Sequence, residues 1–134
     1  QLLKAHRTTK PPVPVHAIAR LEGFEIVERA NLGSLRGRLV DNTIEVAQSD
    51  RWVVQRFTVS HELGHHFLRS SHGSARHAET EANAFAGELL VPGPLLHAAL
   101  ADTTVSAELA ERFQVSRTVL EIAADNHHVL GRLT

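Results

Sequence analysis

The sequence predicts an α+β domain, in which a small antiparallel or mixed sheet packs on helices and further helices follow toward the C-terminus. Three observations carry this. Apolar residues alternate with polar ones in the early run "FEIVE". The runs "SLRGRLV" and "TIEVA" flank Asp41-Asn42, a two-residue link of the kind that tolerates positive φ and closes a β-hairpin. From Asp50 onward the apolar spacing is helical. At 134 residues the chain has the length of one domain, long enough for one hydrophobic core, and residues 1–134 are read as a single unit.

The elements follow in order. Prolines in "TTKPPVPV" forbid helix continuation and push their neighbours toward extended conformations, so residues 1–13 read as an extended or disordered entry. "HAIARLEG" is a short helix ended by Gly23, and "FEIVE" is a strand. The hairpin spans Ser34 to Ala47. A helix over Asp50–Arg69 comes next, then one over Ala78–Leu90 stopped by "VPGP", then shorter helices near 94–100, 104–113 and 116–126. There is no internal repeat and no low-complexity segment.

Composition removes several function classes. Without cysteine there are no disulfides, thiolate metal sites or cysteine nucleophiles. A formal net charge of −1 supplies no global attraction to nucleic acid or acidic membranes. No apolar run approaches the roughly 20 residues of a membrane span. "QLLKAHRTTKPPVPV" turns polar too early for a secretory signal, so a cytoplasmic location is the expectation. A glutamine start and the absence of methionine suggest a natural N-terminus that is missing or was processed.

The stretch "TVSHELGHHFLRS" concentrates the chemistry. Residues four apart on a helix lie about 40° apart around the axis, so His61 and His65 project from one face and can share an ion. Glu62 lies about 100° round from His61, where a carboxylate can act on a water without occupying the metal. With ten histidines in the chain, this spacing alone does not decide between a metal site and a decorated solvent face. A third ligand does more. A catalytic zinc takes three protein ligands and keeps one position open. A histidine-based third ligand downstream fails, because Leu68 and Ser71 stand where glycine and histidine are needed and His72 is one residue out of phase. The next helix, "AETEANAFAGELL", offers Glu79, Glu81 and Glu88. Glu79 shares a face with Ala82, Asn83, Ala86 and Leu90, and the small residues there permit close approach to the first helix, whereas Glu81 and Glu88 fall on the opposite side and read as solvated. Asn83, one turn on, is positioned to hydrogen-bond the second nitrogen of a ligand histidine. His66 is off the ligand face and is not counted as a ligand.

These residues carry a resemblance. "QRFTVSHELGHHFL" followed by "ETEANAFAGELLVP" closely resembles the ImmA/IrrE family of zinc-dependent metallopeptidases, whose pattern couples R-F-T-x-x-H-E-x-x-H to E-x-x-A-N-x-F-A-x-x-L-L-x-P. With "PVPVHAIARLEGFEIVE" upstream, the similarity covers about Pro14 to Leu120. The resemblance implies a zincin-like helical core, Zn2+ held by His61, His65 and Glu79, and Glu62 as the catalytic base. It also implies a helix-turn-helix repressor as the protein substrate. On that reading Glu62 takes a proton from the attacking water and returns it to the departing amine. The oxyanion helper is open: the chain has no tyrosine, and His66, His72, His77, His97 and Arg76 are the candidates.

"AELAERFQVSRTVLEIA" has helix-turn-helix spacing, but the second helix carries one base, Arg117, against Glu121 and Asp125, so these helices are expected to close the domain rather than bind DNA. Three functions are therefore carried forward: a zinc endopeptidase, a zinc-binding regulatory or antitoxin-like partner with little proteolysis, and a DNA-binding module. Metal content separates the third from the others, and product analysis separates the first two. For the endopeptidase, the hairpin edge either receives the substrate as an added strand or serves as a structural cover, which Arg36, Gly37 and Arg38 would also suit. The oligomeric state is not legible.

Overall fold

The computed structural model describes residues 9–33, 35–69 and 73–134. Ser34, the first residue of the expected hairpin, the candidate helper His72 and the first eight residues of the expected extended entry lie outside them. The elements are α1 (Val15–Leu21), β1 (Glu25–Arg29), β2 (Gly37–Val40), β3 (Thr43–Ala47), α2 (Trp52–Leu68), α3 (Ala75–Leu90), α4 (Gly93–Leu100), α5 (Ser106–Phe113) and α6 (Arg117–Asn126), with a 3-10 turn at Leu130–Arg132. This is an α+β arrangement, with a three-stranded mixed sheet and six helices among the described residues. The chain divides into two compact units, one of Pro14–Ala86 and one of Gly87–Thr134 with the segment up to Val13.

In the first unit, α1 ends where the sequence places its glycine. Gly23 has φ 98, which L side chains avoid, and this lets the Phe24 N–H bond the Ala19 carbonyl and the Gly23 N–H bond that of Arg20. Phe24 is buried by the turn. The chain then enters β1, which pairs in parallel with β3, while β2 pairs antiparallel with β3 across the Asp41-Asn42 link. The strand order is β1-β3-β2, so the hairpin's second strand is central and β2 is an edge. Ile44 and Val46 of β3 are buried, as the two-residue period requires. On the opposite face Glu45 accepts from Arg29 Nε at 2.8 Å and from Arg38 Nε, and the two guanidinium groups hold its carboxyl below the ordinary value.

Helix α2 packs on α1 and on strands β2 and β3. Its buried face is unusually polar, and several of these groups are satisfied locally. Gln55 Nε2 donates to Glu28 Oε1 and to the Ala47 carbonyl, both at 2.9 Å, which joins the helix to the ends of β1 and β3. Thr58 and Ser60 hydroxyls donate to the carbonyls of Val54 and Arg56 one turn back. Val59 and Leu63 supply the apolar stripe and are fully buried. At Gly37 a β-carbon would lie 2.2 Å from Thr58 Cγ2, so only glycine lets β2 rest on α2 at this point.

His16 of α1 stacks on Trp52 at the start of α2, ring centroids 4.5 Å apart, with its Nδ1 buried and unbonded. Burial, helped by the charges of Arg20 and Arg56, lowers its pKa from 6.5 to about 4. Between those values the unfolded chain binds a proton that the fold refuses, so His16 lowers stability as pH falls from 6.5 toward 4 and has no effect above that window. Each unit is worth about 1.4 kcal/mol. Partial solvent exposure of the ring discounts the total to roughly 1–2 kcal/mol. In metal-free protein, the urea midpoint should drop between about pH 7 and about pH 4.5, and drop less in His16→Phe; equal drops would rule this role out.

In the second unit the buried apolar residues include Leu96, Leu100, Leu109, Phe113, Leu120 and Ala124. Helix α5 ends with Gln114 at φ 55, and the residues after α6 include His128 at φ 61. In both places the next residue reaches back to close the turn, Val115 N–H to the Ala110 carbonyl and Val129 N–H to that of Ala124. The Ser116 hydroxyl caps α6 by accepting from Val119 N–H. Arg117 is paired with Glu121 at 3.6 Å.

Candidate metal centre

The site belongs to the first unit and is built from one face of α2 and one face of α3. His61 and His65 lie one turn apart on α2, with their Nε2 atoms 3.1 Å from each other. The Glu79 carboxylate reaches both from α3: Oε1 is 2.9 Å from His65 Nε2, and Oε2 is 3.0 Å from His61 Nε2. One ligand atom from each residue lies within 4.8 Å of the others, the one such group of three among the described residues.

The three ligand atoms are close enough to share a cation. Asn83 Oδ1, an acceptor, is 2.8 Å from His61 Nδ1, so that nitrogen carries the proton and Nε2 presents a lone pair. Nε2 of His61 then faces the Glu79 carboxylate and His65 Nε2, a gathering of lone pairs that a shared proton or a metal ion relieves. Two imidazoles and a carboxylate are the donor set of a catalytic zinc, with N and O ligands at about 2.0–2.2 Å. Tetrahedral ligands at that distance sit roughly 3.3–3.6 Å apart, a few tenths of an ångström beyond the separations found. The residues therefore fit the ion with a small outward adjustment.

Glu62 is 8% exposed. Burial raises its pKa above the ordinary value; His61 and His65 oppose the shift, and Glu79 adds to it. Glu79 is the open side of the group, its side chain 61% exposed against 15% for His61 and 24% for His65.

The remaining sequence candidates are arranged differently. Glu88 is exposed, bonds the Gly93 N–H and pairs with His127 at 2.8 Å in the second unit. Glu81 is half-buried rather than solvated, 3.6 Å from His77. His66 is packed edge-on against Phe24 and Phe67, with Arg69 Nη1 3.1 Å from its Nδ1. Arg76 is exposed on α3, and His97 belongs to the second unit.

The family model described as the IrrE N-terminal-like domain, Peptidase_M78, matches residues 24–125. The chain belongs to this family. The IrrE-like domain is also similar to a solved structure named "Mycobacterium tuberculosis transcriptional regulator", with a TM-score of 0.70 and 19% identity over 90% of this chain. At that identity the likeness is one of fold. The domain spans 42% of that structure's chain. No curated protein matches it. No described helix is long and apolar enough to cross a membrane.

Proposed function

We propose that this domain is a zinc-dependent endopeptidase that cuts a regulatory protein in the cytoplasm, a helix-turn-helix repressor being the substrate class. The convergence of His61, His65 and Glu79 beside a buried Glu62 carries the reading, and membership of a family described as a peptidase supports it. The regulatory setting is supported by the shared fold with a protein named as a transcriptional regulator.

His61, His65 and Glu79 would hold the ion, and Asn83 would keep His61 in the tautomer whose Nε2 is free to bind it. Bound zinc supplies Lewis acidity, which makes water easier to deprotonate and a peptide carbonyl easier to attack. Glu62 transfers the proton. A carboxyl held above its ordinary pKa by burial is a better match to water and amine than a solvated one, so it accepts the proton on attack and releases it to the departing amine. Strand β2 is the sheet edge that rests on α2 at Gly37 and Thr58, one turn ahead of His61, and it is where an extended substrate segment would add through main-chain hydrogen bonds. Such binding selects linkers and locally unfolded segments.

The test is purified zinc-loaded protein incubated with the product of the neighbouring gene, followed by mass analysis of fragments. One cut within an extended segment, abolished by a chelator, is expected. A stable complex with an uncut partner would overturn the peptidase and leave the zinc-holding regulator.

A further inference from the structure

Gly64 stands inside α2, immediately before His65, and its backbone does not explain it. Its φ is outside the positive range that favours glycine, so alanine would suit the helix at least as well. Space explains it. A β-carbon at this position would lie 3.0 Å from Phe85 Cβ, 3.1 Å from Ala82 Cα and 3.1 Å from Phe85 Cδ1, all on α3. Ordinary contact begins at 3.4 Å, which leaves a deficit of a few tenths of an ångström. Two of the three atoms are a Cα and a Cβ, which no rotamer change displaces, so the helix itself must move.

The same short stretch of α3 carries the groups that meet α2. Glu79 precedes Ala82 by three residues and reaches His61 and His65; Asn83 follows Ala82 and reaches His61 Nδ1 at 2.8 Å. Metal centres tolerate about 0.2 Å in ligand distance. A displacement of α3 by the deficit at Gly64 exceeds that, and unlike the side-chain adjustment that admits the ion it moves the backbone beneath Glu79 and Asn83.

We propose that Gly64 is a positioning residue for the metal centre: its missing side chain sets the separation of α2 and α3 at which Glu79 and Asn83 meet the two histidines. The inference rests on the proposed reading of the group as a zinc site. Glu79 can turn its exposed side chain to follow the ion, but the hydrogen bond from His61 to Asn83 is short and direct, and it lengthens with the crossing. Removing such a supporting partner costs about 10- to 100-fold in metal affinity, and a bond stretched by a few tenths of an ångström is weakened rather than lost, so the low end of that range is expected.

The experiment compares Gly64→Ala with Gly87→Ala, which also removes a helical glycine, on α3, where nothing lies within 4 Å of the added carbon. Zinc affinity is measured by competition with a chromophoric chelator, Co2+ absorption reports the coordination geometry, and far-UV circular dichroism of the metal-free chains reports the fold. Gly64→Ala should fold without metal, bind zinc about tenfold more weakly than wild type and show a changed Co2+ band, while Gly87→Ala binds as wild type does. A Gly64→Ala affinity within about threefold of wild type, or an equal loss in Gly87→Ala, overturns the assignment. So does a Gly64→Ala chain that is unfolded without metal, since the glycine would then serve the fold at large. Wild-type protein that takes up no zinc would sink the proposed function itself, a result distinct from wild-type uptake with an unaffected variant.

Discussion

Wild-type protein dialysed against zinc and then buffer should retain one ion per chain, and His65→Ala should retain none. The apparent binding energy of a protein zinc site, about 10–16 kcal/mol, is shared here among three ligands, so removing one should cost roughly 3–5 kcal/mol, a few hundredfold to several thousandfold in affinity. His65 is central to the group, 3.1 Å from His61 Nε2 and 2.9 Å from Glu79 Oε1, and alanine leaves nothing in its place. Elemental analysis reads the loss directly. A second readout follows from linkage: zinc should raise the melting temperature of wild type and leave that of His65→Ala unchanged. Undiminished zinc in His65→Ala would remove the assignment of this face as the metal centre.

Glu62→Gln should keep the zinc and lose the turnover. Its side chain is buried beside the group without belonging to it, and the amide is nearly the same shape, so fold and zinc content should persist. Turnover should fall by about 10²- to 10⁴-fold, the range for removing a positioned proton-transfer group. The loss should appear in kcat and kcat/KM alike, because the proton moves in the reacting complex rather than on binding. Cleavage of the true substrate at the wild-type rate would show that another group carries the proton.

Much of the fold could be read from local pattern. Gly23 ends α1 because only glycine takes φ 98 without strain, and Asp41-Asn42 closes the hairpin because two residues fix its register. Where the same backbone device is built from other residues, the pattern is silent: Gln114 and His128 adopt positive φ after α5 and α6, and neither announces a helix end as glycine does. Helix α3 begins at Ala75, three residues ahead of the expected Ala78, because the Ser74 hydroxyl accepts from His77 N–H and caps the first turn. Alternation identified β1, and the two-residue link identified β2 and β3 as a hairpin, but neither says where β1 pairs; that β3 lies between the other two, parallel to β1, is a property of the chain's path.

The candidate site divides along the same line. That His61 and His65 share a face and Glu62 does not follows from about 100° per residue, a relation among neighbours that any helix enforces. The choice of Glu79 over Glu81 and Glu88 also followed from helical phase, together with the small residues around it. What the sequence alone could not decide is distance between helices. The 2.9–3.1 Å separations among His61, His65 and Glu79, the bond from His61 to Asn83 and the close approach of Gly64 to Ala82 depend on how α2 and α3 cross. Periodicity is set by backbone geometry within a few residues, whereas a crossing is set by the volumes of side chains remote in sequence packed to near-crystalline density, and only the folded chain brings those together.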